Sequence, residues 1–233
     1  MKKITLLVSL FFAGLFVQAQ DMGTESDTGL EIGLKVSPAV ATNRFQAPAR
    51  YKFENENAKF RGSFGLVLDY FFGKNYAFNT GLEYSVKGGK ITYVSSQATD
   101  STAEGKTTDE LNIQYIALPV GIKLYTNEVA TDTRIYFTLG TSLNFRISSK
   151  INGDNFYGPT NDEIKANKRY NFFEADGVIG AGAEWQLGTN TKFFGGLSYH
   201  RGLIDIDRYY EKALNKDISI RNNTFALDLG LKF

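Results

Sequence analysis

Read alternately, the closing residues TFALDLGLKF separate into two sets. Phe225, Leu227, Leu229, Leu231 and Phe233 fall on one side, with Ala226, Asp228, Gly230 and Lys232 on the other. A strand shows successive side chains to opposite faces, so this period of two marks a strand with one apolar face. The pattern recurs over residues 29–42, 59–72, 76–87, 112–125, 134–148, 172–187, 191–201 and 224–233. Each stretch has the length, about 9–11 residues, that a tilted strand needs to cross a bilayer.

The connections alternate too. Residues 73–75, 126–133 and 188–190 are short, whereas 43–58, 88–111, 150–171 and 202–223 are long and polar. Short periplasmic turns and long outer loops are the habit of bacterial outer-membrane barrels. The expected fold is therefore all-β: a closed antiparallel up-and-down transmembrane β-barrel of about eight strands, with both termini in the periplasm. Ten strands result if residues 91–95 and part of 150–171 pair above the membrane.

Volume decides which face is inside. An eight-stranded barrel has an interior that side chains just fill. The oily parity holds Phe64, Leu66, Leu68, Tyr70, Phe72, Tyr76, Phe78, Leu82, Tyr84, Val86, Ile135, Phe137, Leu139, Leu143 and Phe145, which would overfill it. The other parity carries Gly33, Gly65, Gly81, Gly121, Gly140, Gly180, Gly182, Gly196 and Gly230, which fit, although Gly177 and Gly195 lie on the oily side. The oily face is expected to meet lipid. Tyr70, Phe71, Phe72, Tyr76, Phe78, Tyr125, Tyr136, Trp185, Phe193 and Phe233 flank the short turns and read as a periplasmic aromatic girdle. Pro119, which cannot donate to a ladder, predicts a bulge or a carbonyl left to lumen water.

Composition adds exclusions. The chain of 233 residues has a formal net charge of +1, so no global field calls for nucleic acid. It has no Cys, which excludes disulfides, thiolate chemistry, Cys-held metals and a lipidated N-terminus. Lys2 and Lys3, the apolar run 4–17 and Val17-Gln18-Ala19 form an export signal, too short for a spanning helix. Residues 1–19 are thus expected to be removed, 20–28 to form a short periplasmic lead, and 29–233 to form the barrel. The destination is the outer membrane of a Gram-negative bacterium.

The segments TGLEYSVKGGK (80–90) and YIALPVGIKLY (115–125), the signal ending VQAQ and the terminal Phe233 resemble the PorT-like outer-membrane β-barrel family. The resemblance runs over essentially the whole mature chain. It implies a small outer-membrane barrel of the kind often labelled porin-like, and it brings no catalytic residues. The founding member is implicated in protein secretion, a role that membership alone does not carry over. Phe233 stands as the expected insertion signal read by the barrel-assembly machinery.

The inward parity carries Glu31, Asp69, Glu83, Glu174, Asp176, Glu184 and Asp228 against Lys35, Lys87, Lys123, Arg134, Arg146 and Lys232. Charges in so narrow a lumen must pair or stay wet. Their expected role is a cross-braced plug, and the sharper alternative is a polar path for small solutes.

His200, the single histidine, lies near a strand's outer end with Asp205 and Asp207 following and Ser101 in another loop. No GxSxG elbow brackets a nucleophile, so a histidine without chemistry is expected. GVIGAGAEW has a superficial likeness to a dinucleotide loop but sits in an alternating strand with no helix after it. NGDNFYGPTNDE (152–163) offers oxygen ligands without the ordered spacing of a calcium loop.

The loops, as in RYYEK (208–212), carry Tyr and Arg suited either to a partner protein or to lipopolysaccharide phosphates. No cofactor, metal or nucleic acid is expected. Outer-membrane lipid and other envelope proteins are the expected partners. The leading function is a structural or interaction barrel with a closed lumen. Behind it stand a narrow porin, a secretion accessory and, last, an enzyme.

Overall fold

A computed structural model of the chain describes residues 29–47, 54–55, 58–94, 106–157, 164–208 and 218–233. The expected signal (1–19) and lead (20–28), Ser101, residues 158–163 and residues 209–212 lie outside these described residues.

Among the described residues twelve strands follow one another: β1 (Gly29–Gln46), β2 (Glu54–Asn55), β3 (Lys59–Gly73), β4 (Tyr76–Lys87), β5 (Lys90–Val94), β6 (Lys106–Ala130), β7 (Thr133–Ile151), β8 (Phe156–Tyr157), β9 (Ile164–Lys165), β10 (Phe173–Gln186), β11 (Lys192–Gly202) and β12 (Ser219–Lys232). One 3-10 turn, Ala166–Lys168, precedes β10. The eight long strands each hydrogen-bond two others, all antiparallel, in the cycle β1-β3-β4-β6-β7-β10-β11-β12-β1. The first and last strands form the seam, where Ile32 and Phe233 exchange backbone bonds of 3.2 and 2.8 Å. A closed ring leaves no edge, which is what hydrocarbon demands of a sheet.

The wall has eight strands, not ten. Residues 90–94 do pair above the membrane, on the outer extension of β6, and β2 adds to β5. The pair β8–β9 lies within the long loop after β7. None of these short strands enters the ring.

The oily parity faces outward as expected: Leu139 is 67% exposed, Phe64 59%, Phe137 52% and Phe225 52%. Leu139 pairs with Ile122 and Ile179 halfway up the wall. Leu139→Arg is therefore expected to cost about 2–4 kcal/mol of stability in lipid vesicles. A urea titration of the refolded barrel checks this, and a shift under 1 kcal/mol would mean that this face does not meet lipid.

The aromatic girdle needs correction. Tyr70, Phe72, Tyr76, Phe78, Trp185 and Phe233 do face outward near the short turns, with Phe72 stacked on Tyr76 and Trp185 on Phe193. Phe71, Tyr125 and Tyr136 instead turn inward and pack with Val67, Ala77 and Phe194. They lie on the inward parity, which closeness to a turn does not alter.

Pro119 also departs from expectation. The β4–β6 ladder skips partners between Thr80↔Val120 and Glu83↔Ala117 but keeps its register, so no bulge forms. The freed Pro119 carbonyl accepts the Thr80 hydroxyl at 2.9 Å rather than being left to water. Register shifts lie elsewhere, near the short turns and at Ile147, which is skipped between Gln114↔Ser148 and Tyr115↔Arg146. Beyond Ile147 the parity of β7 flips, which brings Ser149 and Ile151 inside.

That flip helps to build an apolar cluster at the long-loop end. Ile91, Leu111, Ile113, Tyr115, Ile151, Ala166, Tyr170, Ile206, Ile218 and Ile220 are essentially fully buried together. The long connections, polar in average composition, thus close the outer mouth with a small core of their own.

Candidate functional site

The inward parity stacks its charges in three tiers. The lowest, between β1, β3, β6, β10 and β12, centres on Lys232. Its ammonium contacts Asp69 at 2.5 Å, Glu31 at 3.3 Å, and Glu184. Lys123 reaches Asp69 at 2.9 Å, Lys192 reaches Glu31, and Arg134 approaches Glu184 at 3.7 Å. The Tyr125 hydroxyl donates to Glu184 at 2.8 Å and accepts from Lys232 at 3.0 Å. Asn79 donates to the second oxygen of Asp69 at 2.5 Å.

Carboxylate oxygens of Glu31, Asp69 and Glu184 lie within 4.8 Å of one another, close enough to hold a metal ion. The ammonium of Lys232 already stands among them, so a cation is built into the chain. Aromatic faces complete this floor. Arg134 lies 4.8 Å from the Tyr125 ring centre, and Lys123 5.1 Å from that of Tyr136.

Glycine makes room for those rings. A Cβ on Gly182 or Gly196 would stand 2.5 Å from the Tyr136 hydroxyl, and one on Gly230 2.4 Å from the Phe194 ring. At these three positions the lumen glycines are the negative image of the lumen aromatics.

In the middle tier Lys35 pairs with Glu83 at 2.6 Å and Asp228 at 3.7 Å. Ser37 donates to Asp228 at 2.6 Å and Ser63 to Glu83 at 3.0 Å. His200 faces inward here, its Nε2 3.3 Å from the Ser198 hydroxyl. The upper tier joins Lys87 to Asp176, with Glu174 at 3.9 Å. Asn144 donates to Asp176 at 3.0 Å, Asn222 to both Glu174 oxygens at 3.1 Å, and Asn43 to Asn222 at 2.8 Å. The apolar cluster at the outer mouth begins with Tyr115, whose ring lies 5.3 Å from the Lys87 ammonium.

Twelve of the thirteen expected lumen charges thus meet an opposite charge. Arg146 does not join them. Beside the β7 bulge, its Nε donates to the Asn171 carbonyl at 3.1 Å, fastening an outer loop. Lys192 stands in its place, on the inward parity of β11 but overlooked in the alternation. The bracing amides Asn43, Asn79, Asn144 and Asn222 were missed too, since an uncharged polar residue on an inner face draws no attention without its partner.

The remaining motifs find places. Gly180 and Gly182 of the glycine run lie in β10, paired with Ser198 and Gly196, and form no phosphate loop. In the loop after β7, Asn152 accepts from the Glu110 N–H at 2.7 Å and donates to Asp109 at 3.1 Å, so it staples a turn. Asp205 holds the N–H groups of Asp207 and Ile220 at 2.9 and 2.8 Å. Outside the membrane, Glu110 pairs with Lys59 and Arg61 at 2.7 and 3.1 Å. The Lys59 hydrogen bond above all holds its carboxyl below the usual range.

Among the described residues two small pockets open inside. A pocket of about 60 Å³ touches Lys35, Glu83, Lys123, Tyr136, His200 and Asp228. One of about 20 Å³ lies against Ser37, Lys87 and Asn144. Such volumes hold a few waters.

Residues 18–208 match the family described as outer membrane protein beta-barrel domain. The chain belongs to that family. Among solved structures, the crystal structure of Neisserial surface protein A is similar, with 9% identity over 89% of this chain and 98% of that one and a TM-score of 0.50. The outer membrane protein OprG from Pseudomonas aeruginosa shares 12% identity over 89% and 97%, with a TM-score of 0.46. The outer membrane protein AlkL in lipid bilayers shares 10% over 92% and 93%, also at 0.46. Only the first, at a TM-score of 0.50, bears on the fold, and on nothing beyond it. No curated protein matches the chain. Family and lipid-facing wall together place the barrel in a Gram-negative outer membrane.

Proposed function

We propose that this family member is a closed-lumen barrel that serves the cell surface as a structural and interaction element, through its extracellular loops, and performs no catalysis. One observation carries the reading: three ion-paired tiers fill the lumen between an aromatic floor and an apolar cap. Conduction would require several buried pairs to part together, and each separation leaves an uncompensated charge. Export by removal of residues 1–19, insertion by the barrel-assembly machinery reading Phe233, and contacts with lipopolysaccharide and other envelope proteins belong to the same proposal.

The segments 80–90 and 115–125 further support a place in the PorT-like branch. A secretion-accessory role rests on that resemblance and would show as cargo stranded in the periplasm when the protein is lost.

Ion conductance of the refolded mature chain in a planar bilayer tests the reading, with folding first verified by a heat-dependent gel shift. The expected result is a folded, silent barrel. Steady conductance that changes on Arg134→Gln would make it a narrow porin.

A further inference from the structure

Around the seam, the lipid-facing parity changes character at the long-loop end. Register aligns three rows across β1, β12 and β11. Val40, Phe225 and Tyr199 form one apolar row, Thr42, Asn223 and Arg201 the next, and Arg44 and Arg221 the third. At about 3.3 Å per residue, the arginine rows lie roughly 7 and 13 Å further along the strands than the last apolar row. Strand tilt brings that height down to the headgroup layer, the several ångströms of interface that flank the hydrocarbon core.

Arg44 and Arg221 are direct cross-strand partners, an arrangement of like charges that is unfavourable unless an anion lies between them. Arg44 Nη2 donates to the Gly202 carbonyl at 3.1 Å, which holds its guanidinium beside the end of β11. Arg201, the residue before Gly202, is exposed. Arg221 Nε is shielded from solvent and has no partner among the described residues. Nor is any carboxylate of the described residues bonded to these three, and the nearby Asp205 is engaged by backbone N–H groups. The Asn223 side-chain oxygen, in the second row, is likewise buried without a partner among the described residues. Leu203, 54% exposed, continues the apolar surface beside the cluster.

We propose that Arg44, Arg201 and Arg221 form a binding site for the phosphate of a phosphorylated glycolipid in the outer leaflet. Three guanidiniums on one lipid-facing patch match the oxygens of a phosphate, and the planar fork of arginine is the side chain best suited to it. The acyl chains of such a lipid run down over Val40, Phe225 and Leu227. The site deepens the lipopolysaccharide contact proposed above and rests on it, but being on the outside of the wall it does not depend on whether the lumen conducts.

The test uses the refolded mature chain in neutral detergent micelles, with a fluorescent diphosphorylated lipid A as probe. Binding is expected to weaken at least about tenfold in R44Q/R201Q/R221Q and to fall with added salt. Lipid A stripped of its phosphates should bind about tenfold more weakly to the unaltered barrel. Lys74→Gln, in a periplasmic turn, should leave binding unchanged. Folding is verified by the heat-dependent gel shift, and R201Q alone, at an exposed position, serves if the triple variant does not fold. Unchanged binding by the arginine variant, or equal binding of the dephosphorylated lipid, overturns the proposal. Full displacement of the probe by millimolar inorganic phosphate would assign the site to a free anion and overturn the lipid assignment.

Discussion

Lys232→Met is expected to destabilise the folded barrel by about 3–5 kcal/mol, the usual consequence of stripping one partner from a buried ion pair. Lys232 is 1% exposed, and its ammonium serves three carboxylates at once, Glu31, Asp69 and Glu184. Methionine keeps the stem and removes the charge, so Glu31, Asp69 and Glu184 lose the one cation they share and four bases on three acids become three on three. Lys123, Lys192 and Arg134 each keep one of these acids, Arg134 only at 3.7 Å, and none takes the central place that bridges all three. Urea unfolding in vesicles, followed by the gel shift, measures the loss. One further result belongs to the same mechanism: adding Asp69→Asn to the variant should deepen the deficit, because Lys123 then loses its one acid. A deficit below about 1 kcal/mol would mean that the three remaining bases already satisfy the three acids.

Gly182→Ala is expected to cost about 1–3 kcal/mol, the range for forcing an extra carbon into a filled interior, and more if the floor cannot adjust. The new Cβ would lie 2.5 Å from the Gly195 carbonyl oxygen and 2.5 Å from the Tyr136 hydroxyl. The first contact is backbone and cannot step aside, while the second belongs to a ring wedged beneath Lys123 and against Tyr125. Shortening the ring by Tyr136→Leu should relieve only the second clash and so recover only part of the loss. Gly188→Ala, in a turn with nothing within 4 Å of the new carbon, should change stability by less than about 0.5 kcal/mol. If both glycine variants unfold at the same urea concentration, the fit between glycine and tyrosine is not what fills the floor.

These two positions also show how far the sequence could be read. A period of two is a local signal, so the eight wall strands, their parity and the lipid-facing side of Phe64, Leu139 and Phe225 were legible before any coordinates. Twelve of the thirteen lumen charges were legible for the same reason. Which acid meets which base was not, because Lys232 and Asp69 are joined by closure of the ring rather than by nearness in the chain. The girdle went astray where nearness to a turn was allowed to outweigh parity, at Phe71, Tyr125 and Tyr136. The cap was hidden for a different reason. Ile206, Ile218 and Ile220 are scattered among polar loop residues, and the β7 bulge that turns Ile151 inward leaves no mark in the alternation.

The seam between β1 and β12 joins residues nearly a whole chain apart. An incomplete copy lacking its last strand would carry two raw edges, on β1 and on β11, and an unsealed slot down one side. Its partly buried charges would then be open to water and its backbone to any passing strand. The final stretch of the chain is therefore a latch, and quality control in the envelope need only recognise an open edge to tell finished barrels from faulty ones.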